Sequence, residues 1–222
     1  MSQQDDHVIY TRNEWTNISI FVDIINYLKN KNIKFFVDLG ANVGEVSKIF
    51  LEQIPNIVKI TAYEPEKVNY NYLKNRFCND SRVQPINKAI FYGLDNTLYA
   101  NGGCGSHTLT KTTNYVVQNV ETSTLEDEGL TDIDLIKIDV EGSEYNIIKN
   151  SLILQTIRFI IIEFHPFSFP DSSFDSLLPS TENRQARVDY IKNFTDNFVH
   201  NNFPNHKIVL NKEEQYLLEL VD

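Results

Sequence analysis

The chain has 222 residues, 41% hydrophobic and 12% aromatic, which suffices for one packed core and sits at the lower end for two, so a single domain is expected. A formal net charge of −10 argues against a protein that gains affinity by neutralising phosphates, and long nucleic acid is set aside as a partner. No apolar run reaches the ~18 residues of a membrane span, and the start MSQQDDHVIY lacks the charged and apolar blocks of a secretory signal. Cys78 and Cys104 have no CxxC spacing. The expectation is a cytoplasmic protein with reduced thiols, no membrane insertion and no cysteine-based zinc site.

Residues 1–16 are polar and read as an N-terminal arm, leaving 17–222 as the domain. From Asn17 to Asn30 the residues Ile18, Phe21, Ile24, Ile25 and Leu28 recur at helical spacing. IKFFVDLG follows as a strand buried on both faces. Residues 43–53 carry a helix pattern that Pro55 stops, IVKITAYEP is the second strand, and Lys67 to Phe77 is a helix with Val68, Tyr72 and Leu73 on one face. RVQPINKAI gives a third strand. TLYA and YVVQNVE are short extended segments around a Gly, Ser, Thr and Asn loop. DLIKIDV, EYNIIKNSL and IRFIIIEFH read as strand, helix and strand. Residues 168–183 form a long polar loop of the kind that covers an active site, a helix spans Val188 to Val199, and HKIVL with QYLLELV closes the chain as a hairpin. Alternation of strand and helix predicts an α/β fold with a mostly parallel sheet covered on both faces.

In VDLGANVG, glycines 40 and 44 stand where a strand ends and a helix begins, and Glu64 closes the next strand. This is the arrangement in which a carboxylate accepts hydrogen bonds from ribose hydroxyls. GANVG lacks the three-glycine G-x-G-x-x-G that lets backbone approach a pyrophosphate, and Asp38 would repel one but could anchor an ammonium group. S-adenosylmethionine, which has an ammonium, a ribose and no phosphate, fits these features better than a dinucleotide.

VDLGANVG, AYEPEKVNYNYLKN, DLIKIDVEGSEYNIIKN and IIIEFHP together resemble the FkbM-type branch of the class I S-adenosylmethionine-dependent methyltransferases, over residues 37 to about 166. The resemblance implies a Rossmann-like, seven-stranded sheet whose final strand is antiparallel, methyl transfer usually to an oxygen, and cofactor at the carboxyl ends of the first two strands. Carried over by position, it makes Asp38, Gly40, Asn42, Gly44 and Glu64 cofactor contacts, and Asn87 in NKAI an adenine contact.

Open parallel sheets place ligands at the carboxyl ends of their strands, where IDVEG and EFHP fall, so Asp139, Glu141, Glu163 and His165 are expected to converge. His165 is the first candidate for general base, because an unperturbed imidazole titrates near neutrality. Asp139 is its rival, and Glu163 completes the candidate catalytic set. In the plain structural reading, Asp139 or Ser143 caps the helix, Lys137 pairs with a carboxylate and Glu144 favours the first helical turn. Carboxylates with an imidazole permit a metal, but no HxH or HExxH spacing occurs and none is assigned. His107 lies in a loop and reads as solvated. The leading expectation is O-methylation of a small molecule or glycan. RNA 2′-O-methylation, drawing on Lys137, Asp139 and Glu163, is a second reading, and a non-catalytic Rossmann-like binding module is a third.

Overall fold

Burial follows the sequence pattern closely in the first helix, α1 (Ser19–Leu28), where Ile20, Phe21, Ile24, Ile25 and Leu28 are buried while Val22 on the opposite side is 49% exposed. The computed structural model describes residues 19–93, 97–100, 116–165, 184–212 and 214–221. The arm at 1–16, Ile18, Cys104, His107, Pro166 and the loop at 168–183 lie outside the described residues.

The main sheet contains β1 (Phe35–Leu39), β2 (Lys59–Tyr63), β3 (Val83–Ile86), β8 (Leu135–Ile138), β9 (Phe159–Glu163), β10 (His206–Lys212) and β11 (Gln215–Leu220), in the order β10-β11-β9-β8-β1-β2-β3. The pairs β1–β2, β2–β3, β1–β8 and β8–β9 are parallel. β11 runs antiparallel to both β9 and β10, which makes the C-terminal segment the expected hairpin. This is the expected Rossmann-like arrangement of seven strands. The helices α2 (Glu45–Gln53) and α3 (Lys67–Arg76) connect the first three strands, α4 (Glu144–Asn150) links β8 to β9, and α5 (Arg184–Asn202) precedes the hairpin.

Period-2 alternation divides the strands between two cores. Phe36, Ile60, Leu135, Phe159, Ile161 and Leu217 pack with α1, α2 and α3. Val37, Leu39, Ile136, Ile138, Ile160, Ile162 and Leu218 pack with α4 and α5 on the other face. The chain leaves β1 toward β2 on one side and reaches β8 on the other, so the crevice at the carboxyl ends of β1 and β8 is the topological switch point where such sheets bind ligands.

Two local expectations need correction. On α3 the buried residues are Asn69 and Leu73, whereas Val68 and Tyr72 are 49% and 40% exposed. The i, i+4 pair Asn69/Leu73 sets the stripe, and Asn69 tolerates burial because its amide donates to Glu66 Oε2 at 2.7 Å. RVQPINKAI is two strands, because after β3 the chain turns and β4 (Ala89–Ile90) pairs in parallel with β7 (Thr122–Ser123) outside the main sheet. The two extended segments around the Gly-rich loop pair with each other as β5 (Thr97–Ala100) and β6 (Val116–Asn119), antiparallel. No helix among the described residues is long and apolar enough to cross a membrane.

Candidate active site

The turn after β1 is held open by left-handed backbone at Gly40 (φ 75), Asn42 (φ 51) and Gly44 (φ 86). The two glycines serve different contacts. A Cβ on Gly40 would lie 1.8 Å from the Asp139 carbonyl oxygen, so this position presses the β1 turn against the turn after β8. A Cβ on Gly44 would lie 2.6 Å from Phe77 Cε2 and 2.7 Å from Leu73 Cδ1, so that glycine lets α2 start against α3. Both absent side chains provide close approach within the chain. The amides of Gly40 and Ala41 donate to the Tyr63 carbonyl, tying the turn to the end of β2.

Glu64 sits beside this turn, 5% exposed. Its Oε2 accepts the Asn42 amide and its Oε1 the Glu66 amide, both at 2.8 Å. Burial pushes its carboxyl up to about 8, against the lowering effect of those two amides. The Asn87 side chain, expected at an adenine, donates to the carbonyls of Glu64 and Pro65 at 2.8 and 2.9 Å and so braces the loop that carries Glu64.

Asp38 is fully buried. Its Oδ2 accepts from Ser47 Oγ at 2.7 Å, and its Oδ1 lies 3.4 Å from Lys137 Nζ. Register explains the pairing, since Asp38 and Lys137 are neighbours across β1 and β8 and share a face. Lys137 Nζ also meets Asp139 Oδ2 at 3.0 Å and donates to the Gly40 carbonyl at 3.2 Å. Burial acts to lower the lysine's pKa, but Asp139 and Asp38 overcome it and hold the ammonium above its ordinary range. Lys137 pairs with carboxylates as the plain structural reading predicts.

The ends of β8 and β9 bring Asp139, Glu141, Glu163 and His165 together. Glu141 (φ 51) turns the chain sharply, and its Oε2 lies 3.3 Å from His165 Nε2. Asp139 Oδ1 is 3.9 Å from the same nitrogen, and Glu144 Oε1 is 2.8 Å from His165 Nδ1. Burial acts to lower the His165 pKa, yet the Glu144 hydrogen bond and the charges of Glu144, Asp139 and Glu141 raise it to about 10. Both ring nitrogens face carboxylates. Glu163 lies across from Gln215 in the antiparallel register and accepts its amide at 3.1 Å. Burial and then Asp139 raise its pKa. Phe21, Ile24 and Ile161 join Lys137, Asp139, Glu163 and Gln215 around a small crevice.

Sequence reasoning gave Glu144 too small a part. It is fully buried at the start of α4, and its carboxylate accepts the Val140 and Gly142 amides at 3.0 Å while meeting His165. The E-G-S-E spacing was the available signal, since a carboxylate at the first helical position can reach back over the turn before it. Ser143 stands at the N-cap without a side-chain capping bond.

No curated protein matches this chain. Among solved structures it is similar to methyltransferase FkbM from Methylobacillus flagellatus KT, at 16% identity and TM-score 0.50, over 85% of this chain and 44% of that one. It is also similar to the fibrillarin pre-rRNA processing protein of Methanococcus jannaschii, at 14% identity and TM-score 0.51, over 86% of this chain and 67% of that one. At these identities the likeness shows the shared fold, and the chain spans less than half the length of the Methylobacillus protein. The methyltransferase FkbM domain matches residues 38–190, a stretch that begins at Asp38 and takes in Glu64, the Asp139 turn and His165. By that match the chain belongs to the FkbM methyltransferase domain family.

Proposed function

We propose that the chain is an S-adenosylmethionine-dependent methyltransferase acting on a hydroxyl of a small molecule or glycan. The observation that carries this reading is the contact between two half-sites: the Gly40 turn, next to Glu64, abuts the carbonyl of Asp139, next to the Glu141 and His165 cluster. A cofactor on the first half and an acceptor on the second would be neighbours.

The residues fit the cofactor. Each Glu64 oxygen has one backbone donor and the carboxyl is pushed up to about 8, as expected of a buried acid short of donors. Two ribose hydroxyls would supply what it lacks. Gly40, Asn42 and Gly44 shape the turn, Asn87 braces the Glu64 loop, and Asp38 acts through Lys137 on the Gly40 carbonyl instead of touching the ligand. When bound, the cofactor supplies an electrophilic methyl: the acceptor O–C bond forms as the S–C bond breaks, releasing S-adenosylhomocysteine and one proton.

The chain's own contribution is to align the acceptor and take that proton. Asp139 and Glu163 stand beside a small crevice whose other side is formed by Phe21 and Ile24 of α1. The carboxylates of Asp139 and Glu141 are the proton acceptors, with His165 as the group that positions them.

Titration with S-adenosylmethionine and, separately, with NAD tests the cofactor. Saturable binding of the first is expected, and binding of NAD alone would end the reading. Labelled S-adenosylmethionine offered with glycans, small hydroxylated metabolites and capped RNA tests the acceptor. Transfer only to RNA would replace the small-molecule assignment.

A further inference from the structure

We infer that Asp139, Glu141 and His165 form a binding site for one divalent transition-metal ion. One ligand atom from each lies within 4.8 Å of the others. His165 Nε2 stands 3.3 Å from Glu141 Oε2 and 3.9 Å from Asp139 Oδ1. Around an ion that holds nitrogen and oxygen at about 2.1 Å, neighbouring ligands are ~3.0–3.5 Å apart, so small side-chain shifts close the set.

The imidazole distinguishes this triad from an ordinary group of surface acids, because its second nitrogen is fixed from behind. His165 Nδ1 meets Glu144 Oε1 at 2.8 Å, and Glu144 is itself fully buried and held by the Val140 and Gly142 amides. Metal-bound histidines carry this kind of backing: a carboxylate on one nitrogen sets the tautomer and aims the other at the ion. Here the aimed nitrogen is Nε2, and the two groups in front of it are carboxylates from the turn after β8.

Two carboxylate oxygens and one imidazole nitrogen favour Mn²⁺ or a similar first-row ion over Ca²⁺ and Mg²⁺, which prefer all-oxygen sets. Three protein ligands leave coordination positions open beside the crevice lined by Asp139 and Glu163. There the ion would hold the acceptor oxygen and favour its deprotonated form. That role rests on the methyl-transfer reading, but the existence of the site does not.

Mn²⁺ added to the full, metal-stripped chain without cofactor tests the site, followed by loss of the free-ion electron paramagnetic resonance signal. One ion per chain is expected, with ¹⁴N modulation from a directly bound imidazole in the pulsed spectrum. Glu141→Gln should weaken Mn²⁺ binding by about 10- to 100-fold. The nitrogen signature of the unmodified chain keeps the test valid should His165→Ala fail to fold. No binding at millimolar Mn²⁺, binding without nitrogen modulation, or unchanged affinity in Glu141→Gln would each overturn the inference. S-adenosylmethionine binding without Mn²⁺ binding removes the metal site and leaves the methyltransferase reading intact; the converse does the reverse.

Discussion

Where the parallel strands begin, Glu219 accepts from Lys207 at 2.8 Å, Tyr27 at 2.7 Å and Lys31 at 3.2 Å, and these partners, Lys207 foremost, lower its pKa to about 2. Asp134 at the same edge takes the Lys34 and Phe35 amides at 2.7 and 3.0 Å. Where those strands finish, Glu64 has only backbone donors and burial pushes it up to about 8, and burial likewise raises Glu163. At the first edge the chain's own cations and a hydroxyl neutralise Glu219. The other leaves acids that a ligand would complete, which marks it as the working edge on physical grounds.

The largest expected effect comes from Lys137, buried at the working edge. Lys137→Met leaves Asp38 and Asp139 facing each other without their cation, and should cost about 3–5 kcal/mol in urea denaturation. Adding Asp38→Asn should return part of that loss. A loss under about 1 kcal/mol would show that the column does not depend on the ammonium, and the contrast between the edges would blur. Next is Gly40→Ala, whose Cβ would sit 1.8 Å from the Asp139 carbonyl in a φ of 75. Left-handed strain plus overpacking predicts about 2–4 kcal/mol of destabilisation, together with weaker S-adenosylmethionine binding. Normal cofactor affinity in a folded Gly40→Ala chain would detach the two half-sites from each other.

Glu64 allows a sharper test, because stability and affinity should move in opposite directions. Its folded pKa of about 8 lies above the ordinary 4.5, so the fold prefers the protonated acid. That contribution is complete below 4.5 and is lost as pH rises through 8. Glu64→Gln cannot ionise and should not share the loss of stability as pH rises through 8, yet it should bind S-adenosylmethionine about tenfold more weakly for want of a charge-assisted hydrogen bond. In the unmodified chain, binding must remove the proton, so affinity should rise with pH up to about 8 and then level off. A flat pH profile in isothermal titration would remove Glu64 from the ribose.

β1, β2, β8 and β9 were legible because each is a short apolar run ended by Gly, Pro or a charged residue, and the hairpin because NKEE separates two such runs. VDLGANVG and Glu64 were legible for the same reason, since both occupy strand ends. Three features were not. The burial of Asp38 depends on its registration with Lys137 across β1 and β8, a pairing of residues far apart in the chain. The stripe of α3 rests on Asn69, whose burial requires Glu66 as partner. The state of His165 is set by Glu144, which reads in sequence as an ordinary first-turn acid.

The smallest effect belongs to the opposite edge and serves as the control. Tyr27→Phe removes one of three donors to Glu219, so stability at neutral pH should fall by only about 1 kcal/mol. Because the folded pKa of Glu219 is depressed to about 2, its contribution is present above 4.5 and is lost as pH falls toward 2. Thermal unfolding between pH 5 and 2 should therefore show a shallower acid decline in Glu219→Gln than in the unmodified chain. Neither substitution should alter S-adenosylmethionine affinity, since α1 and β11 meet at this edge away from Glu64. A change in affinity from Tyr27→Phe would mean that the two ends of the sheet are coupled, and the division between an edge that stabilises and an edge that binds would fall.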